Sequence, residues 1–176
     1  MKRNERLSLQ AATDRILELD RRAVAAGQGA TADEIADRLT AQINAMEDSD
    51  TVEYNSTLYL GRHGRIGFTP IARGGQGKTS FTAPPEGTTA ISIIHNHPHQ
   101  AGMARMLKEN PNPSPDYVEN YMAGDMLRPG KTDMETAAGG QVGTVYIVGP
   151  DRINRRYTNP LPIGTFPTPS YRAPPR

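Results

Sequence analysis

The chain has 176 residues, with 20 lysines and arginines against 19 aspartates and glutamates, and it contains no cysteine. This length fits one domain with a substantial core, and the balanced charge argues against a broad basic surface for nucleic acid. The absence of cysteine excludes disulfides, a thiolate nucleophile and cysteine-ligated zinc, so any metal must be held by histidine or carboxylate. No apolar stretch approaches the roughly 18 residues of a membrane span.

Residues 1–50 predict an N-terminal helical segment. Residues 8–26 mix apolar residues with alanines and charges, as an amphipathic helix does. A second helix should begin at Thr31, because Thr31 and Glu34 form a capping box in which each side chain bonds the other residue's backbone amide. The apolar residues behind this box recur every four positions, at Ile35, Leu39 and Ile43.

From residue 51 onwards the apolar pattern changes to a period of two, which is typical of strands. We expect an α+β domain core over residues 51–158, with a mixed, mostly antiparallel sheet flanked by helices. One further helix should begin at Pro115, where Ser114 is a favoured N-cap. Residues 159–176 are rich in proline and predict a disordered tail. The expected strands of the sheet cover residues 51–60, 65–70, 89–95 and 143–149.

The apolar run before His95 predicts a buried strand whose end carries two histidines. Side chains at positions i and i+2 of a strand share a face, so His95 and His97 should converge just where Pro98 ends the ladder. Two such imidazoles are the start of a metal site. The best candidate for a third ligand is Asp116, in the first turn of the helix predicted from Pro115, and with a water it would complete the ligand set of a catalytic zinc.

A zinc site of this kind needs a carboxylate that moves protons without binding the metal. Glu53 is the best candidate, because an acidic residue inside a strand is unfavourable unless it has a functional role or lies at a solvent-exposed edge of the sheet. Each residue also has a plain structural interpretation: buried strand-end histidines, a helix N-terminal charge at Asp116, and a solvent-facing strand residue at Glu53.

These residues resemble the motif of the JAB/MPN (JAMM) zinc metalloproteases: Glu53 on a strand, His95-Asn96-His97-Pro98 at a strand end, and Ser114 with Asp116 at a helix start. The wider pattern is most similar to the JAB-like domains of bacterial polymorphic-toxin and Rhs proteins. The resemblance implies a three-layer, cytidine-deaminase-like arrangement and Zn²⁺ ligated by His95, His97 and Asp116. It further implies Glu53 as acid/base and Ser114 as the residue that helps hold the water or the tetrahedral intermediate. The serine of the family lies three residues before the aspartate, whereas Ser114 lies two before Asp116.

The resemblance implies a zinc-dependent metallopeptidase or isopeptidase that cleaves an amide bond of a protein or peptide. It further implies a role as the toxin or effector domain of a secreted bacterial system, with an immunity protein or a secretion-system carrier as partner. Because residues 1–6 lead into no apolar signal region, we expect a cytoplasmic protein or export by a leaderless route. Two alternatives stay open: a metal-dependent nuclease toxin, and a non-catalytic interaction module on a degenerate JAB scaffold.

Overall fold

The fold is a seven-stranded mixed sheet with helices on both faces, seen in a computed structural model that describes residues 31–75, 81–133, 142–158 and 169–172. The strand order is β2-β1-β4-β5-β6-β7, and β3 also pairs with β1. The helices are α1 (Ala32–Asn44), α2 (His99–Glu109) and α3 (Pro115–Tyr121), which continues into a π-helical turn at Met122–Met126. The strands are β1 (Tyr54–Leu60), β2 (Ile66–Phe68), β3 (Ala72–Arg73), β4 (Thr89–Asn96), β5 (Thr144–Val148), β6 (Asn154–Thr158) and β7 (Tyr171–Arg172).

The sheet is mostly antiparallel, and among the described strands the one parallel pair joins β4 to β5. A parallel pair needs a crossover, because the chain must return to the same end of the sheet before the second strand starts. The described part of this crossover contains α2, α3 and the π-helical turn. The expected α+β class and mostly antiparallel sheet are therefore confirmed.

The helix α1 packs on one face of the sheet through alanine and leucine side chains that meet Leu58, Ile94 and Tyr146. Its capping box is present: the Glu34 amide donates to the Thr31 hydroxyl and the Thr31 amide donates to the Glu34 carboxylate. Because side chains alternate along a strand, His95 points to the opposite face from Ile94. That second face carries a separate core cluster of Val142, Val145, Ile147 and Tyr157.

The C-terminal strand β7 differs from the expected disordered tail. Tyr171 and Arg172 pair antiparallel with β6, and the Tyr171 hydroxyl donates to Asp37 on α1 at 2.7 Å. The Ser170 amide also donates to the Arg156 carbonyl at 2.7 Å. An aromatic ring that packs on the core offsets the entropy of ordering this segment, so the expectation is wrong for these residues. The helix expected over residues 8–26 and the remaining tail residues, 159–168 and 173–176, lie outside the described residues.

None of the helices in the described ranges is long and apolar enough to cross a membrane.

Candidate metal centre

The sheet fixes both histidines at the C-terminal end of β4. His95 is opposite Asn55 of β1 on one side and Ile147 of β5 on the other, so its backbone is held by two neighbouring strands. The His97 amide donates to the Val148 carbonyl at 2.9 Å and thereby extends the alignment with β5 by one residue. The Nε2 atoms of His95 and His97 lie 3.2 Å apart, with the ring planes at 47°. The predicted convergence of the two imidazoles is confirmed.

The third member of the group is Asp133. Its Oδ1 lies 3.4 Å from Nε2 of His95, and its Oδ2 lies 3.9 Å from Nε2 of His97. One ligand atom from each of these three residues lies within 4.8 Å of the other two, as a single metal ion requires. A tight turn orients the carboxylate, because the Gly130 amide donates to Oδ2 of Asp133 at 2.7 Å.

Asp116 was the ligand expected in this place, and the structure puts it elsewhere. It lies exposed in the first turn of α3, outside the group formed by His95, His97 and Asp133 in the described part of the chain. Ser114 is also exposed, and its hydroxyl accepts from the Tyr117 amide at 3.2 Å, so it caps α3. The crossover continues past α3 and returns to the sheet only after the π-helical turn, which is why a later aspartate meets the histidines.

The proton of His97 is placed by the π-helical turn. Nδ1 of His97 lies 3.2 Å from the carbonyl oxygen of Met126, the last residue of that turn. A carbonyl can only accept, so Nδ1 carries the proton and Nε2 presents its lone pair to Asp133 and His95. This is the usual way in which a protein orients a histidine that ligates a metal. In contrast, Nδ1 of His95 is buried and has no hydrogen-bond partner among the described residues.

Burial and charge set the protonation of the group. Burial, together with the neighbouring His95, lowers the pKa of His97 to about 4. Burial also disfavours a charge on His95, but the carboxylates of Asp133 and Glu53 together outweigh it and raise the pKa of that histidine. Burial acts to raise the pKa of Asp133 as well, yet the two imidazoles lower it to about 2. Near neutral pH the group therefore offers an ionised carboxylate and a neutral His97.

Glu53 lies immediately before β1, and its carboxyl interacts electrostatically with His95 and Asp133. Its backbone pairs with the start of the loop after β3: the Glu53 amide donates to the Gly75 carbonyl at 3.0 Å, and the Gly74 amide donates to the Glu53 carbonyl at 2.7 Å. Burial raises the pKa of the Glu53 carboxyl, and Asp133 adds to this effect, whereas His95 and Arg105 oppose it. A half-buried carboxyl with a raised pKa next to the histidines is what a proton carrier requires.

Two imidazole nitrogens and one carboxylate oxygen are the donor set of many catalytic metal sites, and the residues present fit a divalent ion such as zinc. The arrangement of these three ligand atoms can therefore hold a metal ion. The signal for Asp133 in the sequence was weak: Pro129-Gly130 breaks the preceding helix, and Asp133 follows three residues after that glycine.

In comparisons with protein-family models, curated proteins and solved structures, no match to this chain was found.

Proposed function

We propose that this protein is a zinc-dependent hydrolase of JAB/MPN type that cleaves an amide bond in a protein or peptide. His95, His97 and Asp133 would hold the ion, and Glu53 would act as the general acid and base. The observation that carries the proposal is the Glu53 carboxyl, which is half-buried, interacts electrostatically with His95 and Asp133, and lies outside the His95–His97–Asp133 group. A role as a bacterial effector, with an immunity or carrier protein, belongs to the same proposal and rests on the sequence resemblance.

A Zn²⁺ ion, when bound, polarises the substrate carbonyl and activates water for attack. The chain's own residues then supply orientation and proton transfer. Glu53 takes a proton from the attacking water and delivers it to the leaving amine, and its raised pKa suits both steps. The Met126 carbonyl keeps the proton of His97 on Nδ1, so Nε2 stays available to the ion.

One observation favours a second function. In the family a serine lies three residues before the ligand aspartate, whereas the residue three before Asp133 is Gly130, and the hydroxyl of Ser114 caps α3 at an exposed position. A metal-binding module without catalytic activity would not need that hydroxyl. Activity measurements separate the two candidates.

The test is cleavage of a proteome-derived peptide library by the zinc-loaded protein, with new amino termini identified by mass spectrometry. We expect products that disappear with a chelator and return with zinc. Glu53→Gln should retain zinc and lose about 10²–10⁴-fold in rate, because it keeps the shape of the side chain and removes the base. Glu119→Gln, an exposed acid on α3, serves as the matched control and should retain the wild-type rate.

Zinc binding without cleavage by the wild type, or an undiminished rate in Glu53→Gln, would overturn the proposed hydrolase. The first of these results would support the interaction module.

A further inference from the structure

Asn96, the residue between the two histidines, has a side-chain amide that makes three hydrogen bonds. Its Oδ1 accepts from the Tyr54 amide at 2.6 Å, and its Nδ2 donates to the carbonyls of Ser49 at 2.7 Å and Val52 at 3.1 Å. The residue is 4% exposed. Three directed hydrogen bonds from one buried amide fix both its orientation and the backbone segment that it touches.

The segment that Asn96 touches is the one that carries Glu53. The ladder between β1 and β4 runs from Leu60 opposite Thr89 to Asn55 opposite His95. Beyond that pair, the Asn96 side chain links β4 to the chain on both sides of Glu53, through the carbonyl of Val52 and the amide of Tyr54. On its other side, the backbone of Glu53 makes hydrogen bonds with residues 74 and 75.

The candidate base, Glu53, and two candidate ligands, His95 and His97, are therefore held by the same hydrogen-bonded part of the sheet. His95 and His97 are the chain neighbours of Asn96, and Glu53 is held between two of its hydrogen-bond partners. A general base must lie within about 0.5 Å of its productive position, and packing and hydrogen bonds around it must maintain that position. A side chain that connects the base directly to the ligand strand meets this requirement.

We propose that Asn96 is a positioning residue that sets the distance between Glu53 and the metal group. This inference rests on the proposed function, because that function makes Glu53 the general base. A purely structural asparagine in the same sheet provides the comparison. Asn154 is completely buried and donates to Asp37 at 3.0 Å, on the α1 face of the sheet.

The experiment uses the full chain loaded with Co²⁺, whose visible spectrum reports on the ligands and on charges nearby. The measured quantity is the midpoint of the pH-dependent change in that spectrum. Glu53→Gln should lower the midpoint by about 1 pH unit, because loss of a nearby negative charge favours loss of a proton from the site. Asn96→Ala should keep the cobalt stoichiometry and lower the midpoint by at least about half as much.

The double variant Asn96→Ala/Glu53→Gln should show no shift beyond that of Glu53→Gln alone, since the two residues act through one group. Asn154→Ala removes one side-chain hydrogen bond against the three of Asn96, so it should lower the melting temperature by less than Asn96→Ala does and leave the midpoint unchanged. If Asn96→Ala does not fold, Asn96→Ser takes its place, because a hydroxyl can restore part of the hydrogen bonding.

The two proposals fail in different ways. A wild type that binds no cobalt, or a midpoint that Glu53→Gln does not move, overturns the proposed function and this inference with it. A midpoint that moves in Glu53→Gln and stays at the wild-type value in Asn96→Ala overturns the positioning role alone. If the midpoint shifts of the two single variants add in the double variant, the positioning role alone is likewise overturned.

Discussion

Replacing Asp133 with asparagine should weaken zinc binding by about 50-fold. The structure provides the magnitude. Although burial opposes ionisation, the two imidazoles lower the pKa of Asp133 from its ordinary 3.8 to about 2. This difference corresponds to about 2 kcal/mol in favour of the ionised carboxylate. The side chain is 16% exposed, so solvent screens the attraction only weakly. A divalent ion beside the same carboxylate carries more positive charge than these histidines do, so loss of the carboxylate charge should weaken its binding by a comparable free energy.

The assay is competition for zinc between the protein and a chromophoric chelator near neutral pH, after the protein has been stripped of metal. The control is Asp116→Asn, which removes an exposed aspartate from the first turn of α3 and should change the zinc affinity by less than about two-fold. Loss of affinity in Asp116→Asn together with wild-type affinity in Asp133→Asn would refute the reasoning and return the third ligand to the start of α3.

In the metal-free protein, His97 has a pKa of about 4 in the folded chain, so stability should fall between about pH 6.5 and 4, where only the unfolded chain takes up its proton. His97→Gln should remove up to about 3 kcal/mol of this dependence in urea unfolding. Tyr171→Phe loses the hydrogen bond to Asp37 and should cost about 1 kcal/mol in thermal unfolding. Gly102→Ala places a Cβ in steric conflict with Sδ of Met126 and should destabilise the fold by about 1–3 kcal/mol and weaken zinc binding in titrations.

Three results would contradict these expectations. A pH dependence in His97→Gln equal to that of the wild type would mean that His97 is not the buried neutral group. An unchanged melting temperature in Tyr171→Phe would show that β7 does not depend on its contact with α1. If Gly102→Ala is destabilised but binds zinc with wild-type affinity, the packing of α2 does not control how the Met126 carbonyl orients His97.

Local chemistry made much of the fold predictable. The capping box at Thr31 and Glu34 involves residues three apart, and the structure contains both of its hydrogen bonds. The Ser114 N-cap with proline at the first helical position is also present. The strand that ends in His95 and His97 followed from an isoleucine-rich run, because a period of two puts both imidazoles on one face.

The third ligand was not predictable in the same way. Asp116 and Asp133 both follow helix boundaries, and their local patterns do not say which one the crossover brings back to the sheet. That choice depends on how α2, α3 and the π-helical turn pack, which is a long-range property. β7 was missed for a related reason: the proline-rich composition of the segment concealed Tyr171, whose ring and hydroxyl find partners on α1 and β6.

The parallel pairing of β4 with β5 divides the site into two modules. Glu53 and both histidines belong to the sheet, whereas Asp133 and the Met126 carbonyl come from the crossover that this pairing requires. Exchange of the crossover, in evolution or by grafting, would replace one ligand and the surroundings of the site in a single step and leave the base and two imidazoles in place. Under the proposed function, a new crossover would change the third candidate ligand and leave His95, His97 and the candidate base Glu53 unchanged.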